Sequence, residues 1–306
     1  MSTKIISYFS YKGGAGRSTL AYNTIPILAS EHFRPTKNSP MIIVDMDLDS
    51  CGMSYLLEVE NEITDENCVQ HFLNAGFDND CRSPINEHPT FKKLLPVGNK
   101  FGYPENEAIL FLPAKDMKNV NANGASNYSD AKNPFGPKLN DFISVCKDYE
   151  VPAIIFDSSV GNNGTANVVN QLSNIIVCCM RPTTQFVNGT LRYLKSFKTI
   201  AGGRKKIILV PNVVPQEELI IDGQKYPLRA YERIMDKFIP LVQTGDDLFG
   251  VSYNSDMLET YGEFGIPAVK SFMWREGQLY TQEQLDENEK IVLERYKKLS
   301  GIIGSL

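Results

Sequence analysis

Short apolar runs rich in Ile and Val recur along the chain, at residues 5–9, 41–44, 109–112, 153–156, 175–180 and 207–210. Their apolar character is continuous rather than alternating, as expected of strands buried on both faces of a parallel sheet. Between them, residues 18–30, 138–147, 165–172 and 185–200 carry apolar side chains at helical spacing. Strand–helix alternation predicts right-handed crossovers and an α/β fold, a doubly wound and mostly parallel sheet flanked by helices.

Two stretches break that rhythm. Residues 58–110 are polar and irregular, with Pro84, Pro89, Pro96 and Pro104, and residues 119–137 are dense in Asn, Gly, Ser and Pro. Such composition favours turns, so 119–137 reads as an exposed loop. Together they read as an insertion, 58–137, on one domain spanning 1–306. At the far end, Val292, Tyr296, Leu299, Ile303 and Leu306 fall along one side of a helix, with Lys290, Arg295, Lys297 and Lys298 nearby. A surface helix on a membrane has this look. Glu289 and Glu294 dilute the basic face, however, and packing onto the sheet explains the same spacing.

Charge narrows the function classes. Among 306 residues, 31 Lys+Arg face 36 Asp+Glu, a net charge of −5, which argues against bulk nucleic-acid binding. Local basic clusters remain: Arg192, Lys195 and Lys198 share a helix face, and Arg204, Lys205 and Lys206 are consecutive. No stretch reaches the ~20 apolar residues of a membrane span, and the opening MSTKIISYFS is too broken to be an export signal. A cytoplasmic location is therefore expected. The six cysteines form no CxxC pair and read as buried thiols, with no zinc site.

The chemistry-bearing segment follows the first strand: Tyr11, Lys12, Gly13, Gly14, Ala15, Gly16, Arg17, Ser18, Thr19. Glycines let successive N–H groups turn toward a phosphate, and the next helix aims its unpaired N–H groups and dipole at the same point. Alone, such a turn is also a plain strand–helix connection, and the strict G-x-x-x-x-G-K-[ST] pattern fails at Tyr11 and Arg17. The second strand, however, runs into Asp45, Asp47 and Asp49, and the 153–156 strand into Asp157, with Gly161 four residues on. Ligands of open α/β sheets bind at the carboxyl ends of strands. Carboxylates there position a cation or an attacking water, and Asp49 also suits a helix cap.

These motifs resemble the ParA/MinD family of deviant Walker A ATPases, P-loop proteins of the SIMIBI type, in a KGGxGR variant. The resemblance implies ATP and Mg²⁺ as cofactors, with Gly13, Gly14, Ala15, Gly16, Arg17, Ser18 and Thr19 around the phosphates. It implies Ser18, Asp47 and Asp157 at the metal, Asp47 also orienting the attacking water, and Gly161 sensing the γ-phosphate. Asn212, after the strand at 207–210, would read the adenine, and residues 256–269 resemble a late family segment. Lys12 matches the signature lysine that crosses to a partner's phosphates, so an ATP-induced homodimer is implied, with Lys12, Asp47 and Arg17 catalytic. Arg17 in place of Lys presents a broad planar fork instead of a compact charge, which implies slow hydrolysis. The function implied is a dimeric switch that positions or regulates a partner protein or cargo. A nucleotide-stabilised scaffold or a signalling- or defence-associated regulator with little turnover, and a DNA-partition ATPase, stand beside it. The tyrosine-kinase relatives of this fold carry a C-terminal Tyr cluster, whereas Tyr253, Tyr261, Tyr280 and Tyr296 are dispersed.

Overall fold

The computed structural model describes residues 2–78, 81–116, 135–200, 205–215, 219–226, 236–237, 249–251, 265–273 and 277–306. Six expected strands are present: β1 (Lys4–Phe9), β2 (Met41–Met46), β4 (Ile109–Leu112), β5 (Ala153–Ser158), β6 (Ile175–Met180) and β7 (Lys205–Pro211). Two short edge strands, β3 (Leu95–Pro96) and β10 (Phe249–Val251), complete a sheet of order β10-β7-β6-β1-β5-β2-β4-β3. Every pairing is parallel except β3 with β4. A separate hairpin, β8 (Leu219–Ile221) and β9 (Gln224–Tyr226), was not legible as strands.

Although the central strands are apolar throughout, their period of two still sorts side chains between faces. Ile6, Tyr8, Ile43, Ile155 and Val177 pack on one face with α1 (Arg17–Ile27), the short α2 (Gly52–Leu56) and the C-terminal helix α7 (Glu287–Ser305). Ile5, Ile42, Val44, Ile154 and Phe156 pack on the other with α3 (Val69–Ala75) and α4 (Phe135–Asp148). The helix α5 (Gly164–Leu172) lies between β5 and β6 in sequence, capped by Asn163, whose side chain accepts from the N–H of Ala166. Phe9, Ile176 and Cys178 meet α6 (Thr184–Ile200).

The insertion differs from its reading. Residues 58–110 were expected to be irregular and polar, yet Phe72, Phe77, Phe91, Phe142 and Tyr149 form a linked aromatic cluster with His88. The segment is therefore one side of the core, built from α3 and single 3-10 turns. Likewise α4 begins at Phe135, inside the stretch read as loop, because Phe135 is buried. Residues 119–134 and 256–264, and Arg204, lie outside the described residues. Lys205 is not part of an exposed basic cluster: it is buried, and its ammonium donates to the carbonyls of Gln171 and Ser173 at the end of α5.

Helix α7 carries Val292, Tyr296, Leu299 and Ile303 buried against α1 and the π-helical turn Leu28–Phe33. Asp286 and Glu289 form a capping box at its start. The apolar stripe is thus spent on the core, and among the described residues no helix is long and apolar enough to cross a membrane. Contact at the end of α7 is close: a Cβ on Gly304 would overlap the ring of His32. Gly304→Val should therefore force the helices apart, lowering stability by about 1–3 kcal/mol in urea unfolding. An unchanged midpoint would show that α7 is not docked this way.

Candidate functional site

Register brings the acids together. Asp45 of β2 stands beside Asp157 of β5, at the carboxyl ends of adjacent strands. The loop after β1 lies over those ends. Gly14 and Gly16 have φ of 78° and 76°, and Gly16 is the cap of α1. A Cβ on Gly16 would also lie 2.6 Å from Nδ2 of Asn212, so only glycine meets both demands.

The loop's carbonyls are tied down one after another. Gly14 O accepts from Nε of Arg181 at 2.6 Å, Ala15 O from Nδ2 of Asn212 at 2.8 Å and from Sγ of Cys179 at 3.2 Å, and Gly16 O from the N–H of Leu20 at 2.9 Å. By contrast, the N–H groups of Gly13 to Thr19 have no acceptor among the described residues. Seven consecutive donors are left for an external acceptor, which is the electrostatic signature of an anion cradle.

Beneath the loop sits a charged cluster. Arg17 is 5% exposed, yet its guanidinium is paired: Nε donates to Oδ1 of Asp157 at 2.5 Å, and Nη2 to Oδ2 of Asp47 at 2.7 Å and to Oγ of Ser18 at 3.2 Å. Ser18 Oγ donates to Oδ2 of Asp157 at 2.6 Å, and Ser50 Oγ donates to Oδ2 of Asp47. Nη1 of Arg17 is buried with no partner among the described residues. Burial works against the charge of Arg17, but Asp157 and Asp47 outweigh it and hold its pKa above the ordinary value. Burial, with help from Asp47, pushes the Asp157 carboxyl up, although Arg17 and Ser18 pull it down.

Asp45 lies behind this cluster, fully buried, accepting from the N–H of Asp47 at 3.1 Å and from the N–H and hydroxyl of Ser54 at 3.1 and 3.0 Å. Burial, then the nearby Asp157 and Asp47, push its carboxyl up to about 8. Two carboxylates and one guanidinium leave no countercharge for a third.

Of the sequence-derived residues, Arg17, Ser18, Asp47 and Asp157 come together, while three stand in other arrangements. Lys12 is exposed and donates to Oε1 of Gln185 at 2.8 Å, on α6. The N–H of Gly161 is already bound to the carbonyl of Ser10 at 3.1 Å. Asn212, expected to face adenine, is 6% exposed and turns its amide into the loop carbonyls. It props the loop. Arg181, Cys179, Ser50 and Ser54 were missed. Arg181 was the findable one, since a charged residue directly after a buried strand is the signal that marked the aspartates.

The metal seat implied by resemblance does not fit the arrangement. Both oxygens of Asp157, Oδ2 of Asp47 and Oγ of Ser18 already meet donors of this chain. Among the described residues no group of three or more His, Cys, Asp or Glu is placed to hold a metal ion. Arg17 occupies the position between them. The cysteines are free thiols, five buried and Cys81 half-buried.

No protein-family model matches the chain, and no curated protein matches it. Solved structures do. The McdA–ATP complex of Cyanothece superposes with a TM-score of 0.64 at 11% identity, covering 99% of this chain and 97% of that one. A ParA family ATPase of Chlorobium tepidum gives 0.62 at 15% identity, over 98% and 99%. The septum site-determining protein MinD of Pyrococcus horikoshii, complexed with Mg-ADP, gives 0.59 at 15% identity, over 98% and 96%. The chain has the ParA/MinD fold. Identities this low establish fold, and the likeness covers 98–99% of this chain.

The raised Asp45 carboxyl has a consequence for stability. An acid that keeps its proton to about pH 8 when folded, against an ordinary value of 3.8, favours the folded state at low pH. That contribution is lost as pH rises from about 4 to about 8, at up to about 1.4 kcal/mol per pH unit for one proton. Asp45→Asn should flatten the fall in stability over that window, measured by urea unfolding at several pH values. An unaltered slope would show that Asp45 is ionised throughout.

Proposed function

We propose that this protein binds ATP on the Gly13–Thr19 loop and acts as a dimeric molecular switch that positions or regulates a partner protein or cargo. The observation that carries the reading is the row of N–H groups from Gly13 to Thr19 with no acceptor among the described residues, in a loop whose carbonyls are anchored to Arg181, Cys179, Asn212 and Leu20. A loop that served only as a strand–helix connection has no need of so many fixed carbonyls. The choice of ATP rests on resemblance to the ParA/MinD fold.

Lys12 is exposed beside the cradle, where its charge is available to a second copy's phosphates. Closing a site with a cation from another subunit excludes water and adds charge where the phosphates need it. Hydrolysis is slow in this reading, because Asp47, the residue assigned to the attacking water, is held by Arg17 and Ser50. The protein works in the cytoplasm. A DNA-partition role is disfavoured by the net charge of −5 and by the burial of Lys205.

Size-exclusion chromatography of the full chain with and without ATP tests the switch. The wild type should move to a dimer with ATP and remain a monomer with ADP, and Lys12→Ala should stay monomeric with either. Asp47→Ala should still dimerise, with turnover reduced at least about tenfold. A wild type that stays monomeric at saturating ATP overturns the dimer model, and equal effects of ADP and ATP favour a nucleotide-stabilised scaffold.

A further inference from the structure

We infer that Arg17 is a built-in cation, and that its guanidinium fills the place a divalent ion would take and holds the nucleotide's phosphates without one. The inference deepens the nucleotide-site reading and rests on it. Three features of the guanidinium point to it. Nε and Nη2 each engage a different carboxylate, Asp157 at 2.5 Å and Asp47 at 2.7 Å, and Nη2 also reaches the Ser18 hydroxyl at 3.2 Å. These are the groups to which resemblance assigns a metal. The side chain is 5% exposed, and the two carboxylates, Asp47 and Asp157, are 7% and 0% exposed, so the pairing is not a fluctuating surface contact. Finally, Nη1 is buried and unpartnered among the described residues.

The last feature leaves the ion pair with capacity for one more acceptor. A buried donor left without an acceptor costs free energy, which an acceptor from a ligand would recover. Here one fork of the guanidinium is committed to the acids, and the remaining nitrogen belongs to the same segment as the seven unpaired loop N–H groups. A phosphate oxygen seated in the loop completes its hydrogen bonding. The geometry then bridges carboxylates to phosphate through a planar, permanently charged group. A lysine at this position carries a single compact ammonium in place of a planar fork with five donors. The ligand class that follows is a metal-free nucleoside triphosphate.

Two measurements on the full chain decide the matter, using wild type, Arg17→Lys and Arg17→Ala. In the first, thermal midpoints are read without nucleotide, with and without MgCl2 or MnCl2. The wild type should not respond. Arg17→Ala should start lower and be raised by several degrees at saturating metal, because its two carboxylates and Ser18 become available to an ion. In the second, binding of a fluorescent ATP analogue is compared in Mg²⁺ and in EDTA. Wild-type affinity should change less than about threefold, whereas Arg17→Lys should lose about tenfold or more in EDTA. If Arg17→Ala does not fold, Arg17→Lys carries both readouts.

A wild type that loses tenfold or more in EDTA, or whose midpoint rises with metal as far as that of Arg17→Ala, overturns the inference and leaves the nucleotide site standing. A wild type that binds the analogue in neither condition overturns the nucleotide reading itself. The metal response of Arg17→Ala, against none in wild type, would in that case still show Arg17 in the cation's place.

Discussion

A guanidinium shut away from water between two carboxylates is an arrangement in which removing one member leaves the others buried and uncompensated. Desolvation of Arg17, Asp47 and Asp157 is costly, and mutual attraction at hydrogen-bonding distance offsets it only while all three are present. The sheet exists in a form that makes this possible. Parallel strands β2 and β5 end side by side, and the helix that follows β1 delivers Arg17 and Ser18 to the same point. The strand order, with β1 between β6 and β5, places the loop over the junction. The phosphate loop, the acidic strand ends and the helix start are therefore one construction held together by a shared charge balance.

That balance explains the behaviour of the neighbours. Asp45 is pushed toward its neutral form by burial and by the neighbouring Asp157 and Asp47. Ser50 and Ser54 supply hydroxyls to the acids, each reinforcing the position of a carboxylate. On the other side, Arg181, Cys179 and Asn212 hold the loop by its carbonyls, which leaves its N–H groups uncommitted as a set. Orientation of the loop is decided by what its acceptors are bound to, so residues far apart in sequence determine whether it can bind an anion at all.

The insertion shows a related lesson about composition. Proline and polar residues between 58 and 110 suppress long helices and strands, and the pattern there is correctly one of short turns. Yet Phe72, Phe91 and Leu94 are spaced irregularly and are nonetheless buried in the same cluster as α4. Periodicity detects burial only where a regular element presents a face. Single turns bury isolated aromatic residues with no period to read, so the segment looked like surface while forming part of the core.

The sequence by itself determined the α/β alternation, the parallel sheet, the phosphate loop and the aspartates at the strand ends. Each follows from local rules: continuous apolar runs, helical spacing, and glycine where the backbone turns left-handed. It also determined that Arg17 is an unusual residue in that loop. Only the tertiary structure decided where the guanidinium goes, that the Asn212 amide donates to the loop carbonyls, and that Lys205 is buried at the end of α5. These depend on which partners the fold brings within about 3 Å, and a long charged side chain on a helix start can reach several. Spacing along a chain assigns a residue to a place, whereas hydrogen-bonding partners, gathered from strands far apart in sequence, assign it a role.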